Sequence, residues 1–115
     1  MLAKFNRLRK KKEFETVLRK GKGFKEDFLV LKAMKNNLSQ TRVGLIVGVK
    51  VSKKATLRNK IKRRLKALIV TKISEIEKGV DIILIAKPGL EHKDFWEIAE
   101  ILNTLLKRAK IIALR

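Results

Sequence analysis

The fold class predicted from the sequence is α+β: a layered α-β sandwich in which helices pack on a small mixed sheet. Three observations predict it. Helical and strand-like periodicities alternate in the order helix, strand, strand, long helix, strand, helix, an order that an open α/β sandwich would also satisfy. The longest helical stretch, Ser52 to Thr71, joins two apolar runs and so takes the place of a crossover in a β-α-β unit. The chain closes on a helix whose start is marked by Asp94 and, three residues on, Glu97, a capping-box-like pair.

Each element has its own justification. Met1 to Lys12 is dense in Lys and Arg, with Phe5 and Leu8 the only bulky apolar residues after Met1 and Leu2, and is expected to be an extended, partly mobile arm. Lys12 to Lys20 sets Phe14, Val17 and Leu18 at i, i+3 and i+4, a short helix stopped at Gly21, which suits a left-handed C-cap. Gly21 and Gly23 then make a turn into one strand over Phe24 to Met34, where Phe28, Val30 and Lys32 alternate with Leu29, Leu31 and Ala33. Asn36, Asn37, Ser39 and Gln40 supply a loop. Arg42 to Val51 is nearly continuous in apolar, β-branched residues, as a strand covered on both faces is, and its Gly44 and Gly48 mark close packing or a bulge.

In the long helix, Leu57, Ile61, Leu65 and Leu68 fall within roughly 80° of one another, a narrow stripe for a core. Arg58, Asn59, Lys62, Arg63 and Lys66 fill the opposite side, and Ser52 and Thr56 are alternative N-caps. The pattern fades through Lys72 to Gly79 into a last turn and a loop. V-D-I-I-L-I-A, from Val80, is a buried strand ended by Lys87, Pro88 and Gly89. The last helix puts Phe95, Ile98, Leu102, Leu105, Leu106 and Ala109 on one face, while Trp96 points away as a partly exposed aromatic or as a contact to RNA or another subunit. No repeat or linker marks a boundary, so residues 1–115 read as a single domain.

Charge narrows the function. Thirty Lys and Arg against 11 Asp and Glu leave a formal charge of +19, far beyond what solubility requires. Hydrophobic residues at 45% place that charge on a folded body rather than a disordered tail. No acidic residue occurs between Ser52 and Thr71, although a solvated helix normally mixes signs. Such a one-sign face suits an external polyanion. A basic amphipathic helix on anionic lipid is the alternative, but its apolar stripe would then be lost to the core.

Catalysis by the chain itself is hard to assemble. It lacks cysteine, has His92 as its only histidine, and carries neither H-E-x-x-H nor a phosphate loop. Its carboxylates fall mostly in structural pairs, and His92 reads as a solvated loop residue. No metal site is assigned. With few aromatics and no tyrosine, recognition of a folded RNA through its phosphates is favoured over base stacking. No signal peptide and no membrane span is recognised, and the expected location is the cytoplasm.

Arg58-Asn59-Lys60-Ile61-Lys62-Arg63, preceded by Lys53-Lys54-Ala55-Thr56, resembles the R-N-R motif of the protein subunit of bacterial ribonuclease P. Asn6-Arg7-Leu8 followed by Phe14 and Val17, the Arg42-Val43-Gly44 strand, and I-I-L-I-A-K-P occur in that family's order, so the likeness covers most of the chain. It implies an α-β sandwich like ribosomal protein S5 domain 2, with the long helix as a left-handed crossover, an exception to the usual right-handed rule. It also implies a non-catalytic partner in a holoenzyme endoribonuclease. The RNA subunit, with bound magnesium, would remove the 5′ leader of precursor tRNA, while the protein binds leader and RNA and lowers the magnesium requirement. No obligate protein partner is implied.

Carried over by position, the resemblance puts the RNA-subunit surface on Asn6, Arg7, Lys54, Arg58, Asn59, Lys60, Lys62, Arg63 and Lys66. It puts the leader cleft on Phe14, Leu18, Leu29, Leu31 and Lys50, against ordinary core for Phe14, Leu18 and Leu31. Three positions depart from the family pattern. Lys60 replaces the second arginine of R-N-R, Lys53 stands where glycine is common, and Leu31 stands where some relatives carry tyrosine. Another structured-RNA binder of similar layers, such as a ribosomal protein, and a self-sufficient metal-dependent nuclease are the competing functions.

Overall fold

A computed structural model describes residues 6–112. The elements run α1 (Lys11–Lys20), β1 (Lys22–Glu26), β2 (Leu29–Lys35), β3 (Arg42–Ile46), α2 (Ala55–Lys72), β4 (Val80–Ala86) and α3 (Phe95–Arg108), with a 3-10 turn at Leu90–His92 before α3. The four strands form one mixed sheet in the order β1-β2-β4-β3. Here β2 pairs antiparallel with β1 and β4, and β3 pairs parallel with β4. The layered α+β expectation therefore holds, and α2 is the connection between two adjacent parallel strands.

The centre of the sheet follows from V-D-I-I-L-I-A. Six of its seven residues are buried, because β4 has strands on both sides and helices on both faces. Pairing fixes which residues share a face. Leu29, Leu31, Val43, Ile82 and Leu84 join Ile61, Leu65 and Ile69 of α2 and Ile98, Leu102 and Leu105 of α3 in the larger core. On the other face, Ile83 packs with Leu8 and Val17, flanked by Phe14, Leu18, Met34, Ile46 and Ile85. The α2 stripe is as expected apart from Leu57, which is only half-buried, and Ile69, which joins it. The α3 stripe gains Ile101. Its Asp94 cap forms: the side chain accepts from the Glu97 N–H at 2.8 Å, and Glu97 accepts from the Asp94 N–H at 3.0 Å.

Several local expectations are corrected. The strand expected over Phe24 to Met34 is a hairpin: Glu26 pairs with Leu29, leaving Asp27 and Phe28 as the turn, with Asp27 at φ 48°. Aspartate tolerates that left-handed backbone, and Phe28 continues the alternation, which hid the turn. Gly21 is extended at φ −68° rather than left-handed. It is glycine because a Cβ there would collide with the Val17 carbonyl oxygen. Gly23 lies inside β1, not in a turn. Strand β3 stops at Ile46, and residues 47–54 form a loop in which the Val51 N–H donates to the Gly48 carbonyl at 3.1 Å. Neither Ser52 nor Thr56 caps α2. Lys54 holds the N-cap position, and the Ser52 hydroxyl accepts from its N–H at 3.2 Å.

Of the N-terminal arm, residues 1–5 lie outside the described part. From Arg7 the segment is not an extended mobile arm. Arg7 bridges Val43 in parallel, Leu8 donates its N–H to the Val43 carbonyl at 3.0 Å, and the Leu8 side chain is buried. The segment lies along the outer edge of β3, giving partners to an otherwise open edge strand.

Candidate nucleic-acid interface

Helix α2 turns Ile61, Leu65, Leu68 and Ile69 inward. That leaves Asn59, Lys60, Lys62 and Arg63 exposed, with Arg58 and Lys66 half-buried at the margin. Arg58, Lys62 and Lys66 follow one another at i, i+4 and i+8, and Asn59 and Arg63 form the neighbouring row. Like charges at this spacing repel, each pair costing about 0.2–0.5 kcal/mol. The first turn of α2 carries no acidic residue, and its N-cap makes no side-chain hydrogen bond. Positive charge thus gathers at the positive end of the helix dipole, the reverse of what helix stability favours and the arrangement that attracts phosphate. Arg58 is aimed by a hydrogen bond from its Nη1 to the Ser52 carbonyl, 2.9 Å.

The nine residues of this surface divide into two groups. Lys54, Arg58, Asn59, Lys60, Lys62, Arg63 and Lys66 are together at the start and middle of α2. Asn6 and Arg7 lie beside the start of β3, where Asn6 Nδ2 donates to the Thr41 carbonyl at 2.6 Å. Asn6 and Arg7 thus sit at the start of β3, whereas α2 begins only after the loop beyond Ile46. Lys53 is exposed in that loop and is not among the residues of positive φ, so no glycine backbone is needed there. Half-buried Arg64 was not foreseen: its Nη1 donates to the Lys93 carbonyl at 3.3 Å, tying α2 to the segment before α3.

The leader-cleft residues are separated by strand parity. Leu29 and Leu31 are 0% exposed in the core beneath α2 and α3. They face away from Phe14 and Leu18, so they cannot line a surface cleft with them, and the absence of tyrosine at Leu31 loses its significance. Their neighbours Val30 and Lys32 face the α1 side instead. There the sheet presents three successive rows across β2, β4 and β3: Met34-Asp81-Arg42, Lys32-Ile83-Gly44 and Val30-Ile85-Ile46. Helix α1 lies on the first two. The Phe14 ring rests on Gly44, where a Cβ would sit 2.5 Å from it, and Lys32 Nζ donates to the Leu18 carbonyl at 2.6 Å. The third row stays half-buried, bounded by Phe14 and Leu18, with exposed Lys25 beyond it on β1 and exposed Lys50 in the loop after β3. Period-two alternation was the signal for Val30 and Lys32. It could not say which face was open.

The row under the start of α1 is polar. Arg42 donates from Nε and Nη2 to the two oxygens of buried Asp81 at 2.9 and 2.7 Å, and from Nη1 to Glu13. The Asp81 hydrogen bonds, foremost, push the Arg42 guanidinium further up. The Glu13 carboxyl is held below its ordinary range, first by the Lys10 backbone N–H and then by those of Arg9 and by Arg42, against the cost of burial.

Elsewhere, Trp96 is 75% exposed and packs edge-on against Phe95, ring centroids 5.3 Å apart, beside a depression of about 550 Å³ edged by Asp94, Glu97 and Glu100. His92 is exposed in the 3-10 turn. Among the described residues no three acidic or histidine side chains converge as metal ligands. No helix among them is long and apolar enough to cross a membrane.

Comparison with known proteins decides the family. The family model described as Ribonuclease P matches residues 2–110. The chain belongs to the ribonuclease P protein family. It is 38% identical over 109 residues to the ribonuclease P protein component of a Clostridium botulinum strain, covering 94% of this chain and 97% of that one. A Pseudanabaena ribonuclease P protein component is 33% identical over 113 residues, covering 97% of each. Among solved structures, the Staphylococcus aureus RNase P protein superposes with a TM-score of 0.86 at 29% identity, covering 94% of this chain and 98% of that one. The Thermotoga maritima RNase P protein, in complex with 1-(4-fluorophenyl)-2-thiourea, gives 0.81 at 36% identity, covering 89% and 98%. Membership in the ribonuclease P protein family carries with it RNA binding and a role in tRNA 5′ processing as the protein component of ribonuclease P.

Proposed function

We propose that the basic face of α2 anchors the RNA subunit of ribonuclease P, and that the Val30-Ile85-Ile46 row holds the 5′ leader of precursor tRNA. The observation that carries this is the separation of two unlike surfaces: a one-sign cationic helix face with no apolar element, and a half-buried apolar strip walled by Phe14 and Leu18 and flanked by Lys25 and Lys50. Phosphates of a folded RNA suit the first. Arg58 and Arg63 offer planar forks for them, Lys54, Lys60, Lys62 and Lys66 point charges, and Asn59 an amide. Asn6 and Arg7 extend this contact along β3. A single strand, with exposed bases and a charged backbone, suits the second.

In this reading the RNA cleaves, using magnesium that it holds itself, and the protein contributes no catalytic residue. Magnesium is a hard cation that seeks carboxylate and phosphate oxygens. Among the described residues no three carboxylate or histidine side chains converge. The cationic face neutralises phosphates that magnesium would otherwise screen, which lowers the magnesium requirement of the complex.

Reconstitution on precursor tRNA tests the proposal. The protein alone is expected to cleave nothing, and added to a ribonuclease P RNA at low magnesium it restores 5′ cleavage. Failure to stimulate the RNA would favour a different structured-RNA target, and cleavage by protein alone a self-sufficient nuclease. Either result sinks the assignment.

A further inference from the structure

Taking the leader groove above as its basis, we infer that Arg42 is a positioning residue for leader binding, because it fixes which rows of the sheet α1 covers. Three rows face α1, successive rows lie about 6.6 Å apart, and a helix with its side chains is about 10–12 Å wide. One helix therefore covers two rows and leaves one open. The apolar contacts settle the choice only in part: Gly44 leaves room for the Phe14 ring, but Ile83, Ile85 and Ile46 all offer suitable surface to Val17 and Leu18.

The polar row does dictate it. Arg42 holds Asp81 of β4 with a two-pronged contact and reaches Glu13 of α1 with its remaining nitrogen. Asp81 is 5% exposed and also accepts from Asn36 Nδ2 at 2.7 Å, so it is fixed in the sheet. Glu13 is fixed in the helix, its other oxygen accepting the N–H groups of Arg9 and Lys10 at 3.1 and 2.9 Å. Phe14 is the next residue. A planar fork between two anchored carboxylates tolerates little displacement, so the start of α1 is pinned over the Met34-Asp81-Arg42 row. At the far end, Lys32 holds the Leu18 carbonyl. Without the Arg42 link, α1 is free to pivot about Leu18 toward Val30-Ile85-Ile46, narrowing the groove in which the leader lies.

The test uses the reconstituted holoenzyme with two substrates, one with a long 5′ leader and one with a single-nucleotide leader. The double variant Arg42→Met with Asp81→Asn removes one charge of each sign, leaving net charge unchanged and no unpaired buried carboxylate. It is expected to weaken long-leader binding about tenfold, while short-leader binding and RNA-subunit affinity stay within about twofold. Arg42→Lys, which keeps a charge but loses the fork, should fall between and serves where the double variant does not fold, folding being checked by circular dichroism. Equal losses on both substrates, weakened RNA-subunit binding, or unchanged long-leader affinity in a folded variant would each overturn the inference. Val30→Glu, which sets a carboxylate in the open row, separates the causes of an unchanged result. If Val30→Glu weakens long-leader binding, only the positioning role fails; if it too has no effect, the groove itself is wrongly assigned.

Discussion

The two faces of the sheet are built from equally apolar strands but are covered unequally. One carries both α2 and α3, and Leu29, Leu31, Ile82 and Leu84 beneath them are 0% exposed. Among the described residues the other carries a single helix, α1, of 10 residues, which together with Leu8 seals Ile83 and leaves Val30, Ile46 and Ile85 half-buried. Hydrophobicity therefore marks both the sealed core and the open row here. What separates them is the number of helices overhead, and that makes the contrast testable by substitutions one residue apart on β4.

The largest expected effect is on the doubly covered face. Leu84→Ala removes a side chain enclosed on all sides and should cost about 2–5 kcal/mol. Ile85→Ala, its neighbour on the open face, should cost less, about 1–2 kcal/mol, because part of what it loses is already in contact with water. Urea unfolding checks this, with the midpoint shifting far more for Leu84→Ala at similar slope. Equal costs would mean that the open row is core after all.

Gly44→Ala comes next, at about 1–3 kcal/mol, because its Cβ would stand 2.5 Å from the Phe14 ring and force ring or strand to shift. Since the ring is also a groove wall, leader affinity should fall with stability, whereas RNA-subunit affinity should not. Gel-shift titrations with each RNA separate the two. Smaller, and confined to the other surface, are Arg58→Ala and Arg63→Ala. Each should reduce the slope of log affinity for the RNA subunit against log salt by roughly 0.7–0.9 and leave leader binding nearly unchanged.

Where local pattern and tertiary setting agree, the fold was legible. The α2 stripe repeats at helical spacing, Asp94 and Glu97 form the cap their spacing implies, and V-D-I-I-L-I-A has no polar interruption but Asp81, which turned out to be answered by Arg42. Legibility failed where a boundary kept the pattern intact. Phe28 carries the alternation through a turn, and Val49 and Val51 prolong β-branched character past the end of β3. The basic surface was legible because charge of one sign on one helix face has no core reading. The groove was half legible: alternation separates Leu29 and Leu31 from Val30 and Lys32, but which set is open depends on where α1 docks. That is decided by Glu13, Arg42 and Asp81, which are far apart in sequence.

The smallest expected effect lies in that same contact, and pH exposes it. The Glu13 carboxyl titrates below its ordinary value near 4.5 in the folded chain, first because of the Lys10 N–H. Between the folded and unfolded values the unfolded chain binds more protons, so stability rises with pH there. The contribution of Glu13 is thus complete above about 4.5 and is lost as pH falls through the lower, folded value. Glu13→Gln removes this dependence and should make the acid side of the stability curve shallower, with little change in slope near neutral pH. Because Glu13 links α1 rather than α2 or α3, amide exchange in Lys11–Lys20 should quicken on acidification before exchange in Ala55–Lys72 does. Simultaneous loss of protection in both helices would show that the two faces open together, and would remove the basis for treating α1 as a separately adjustable wall.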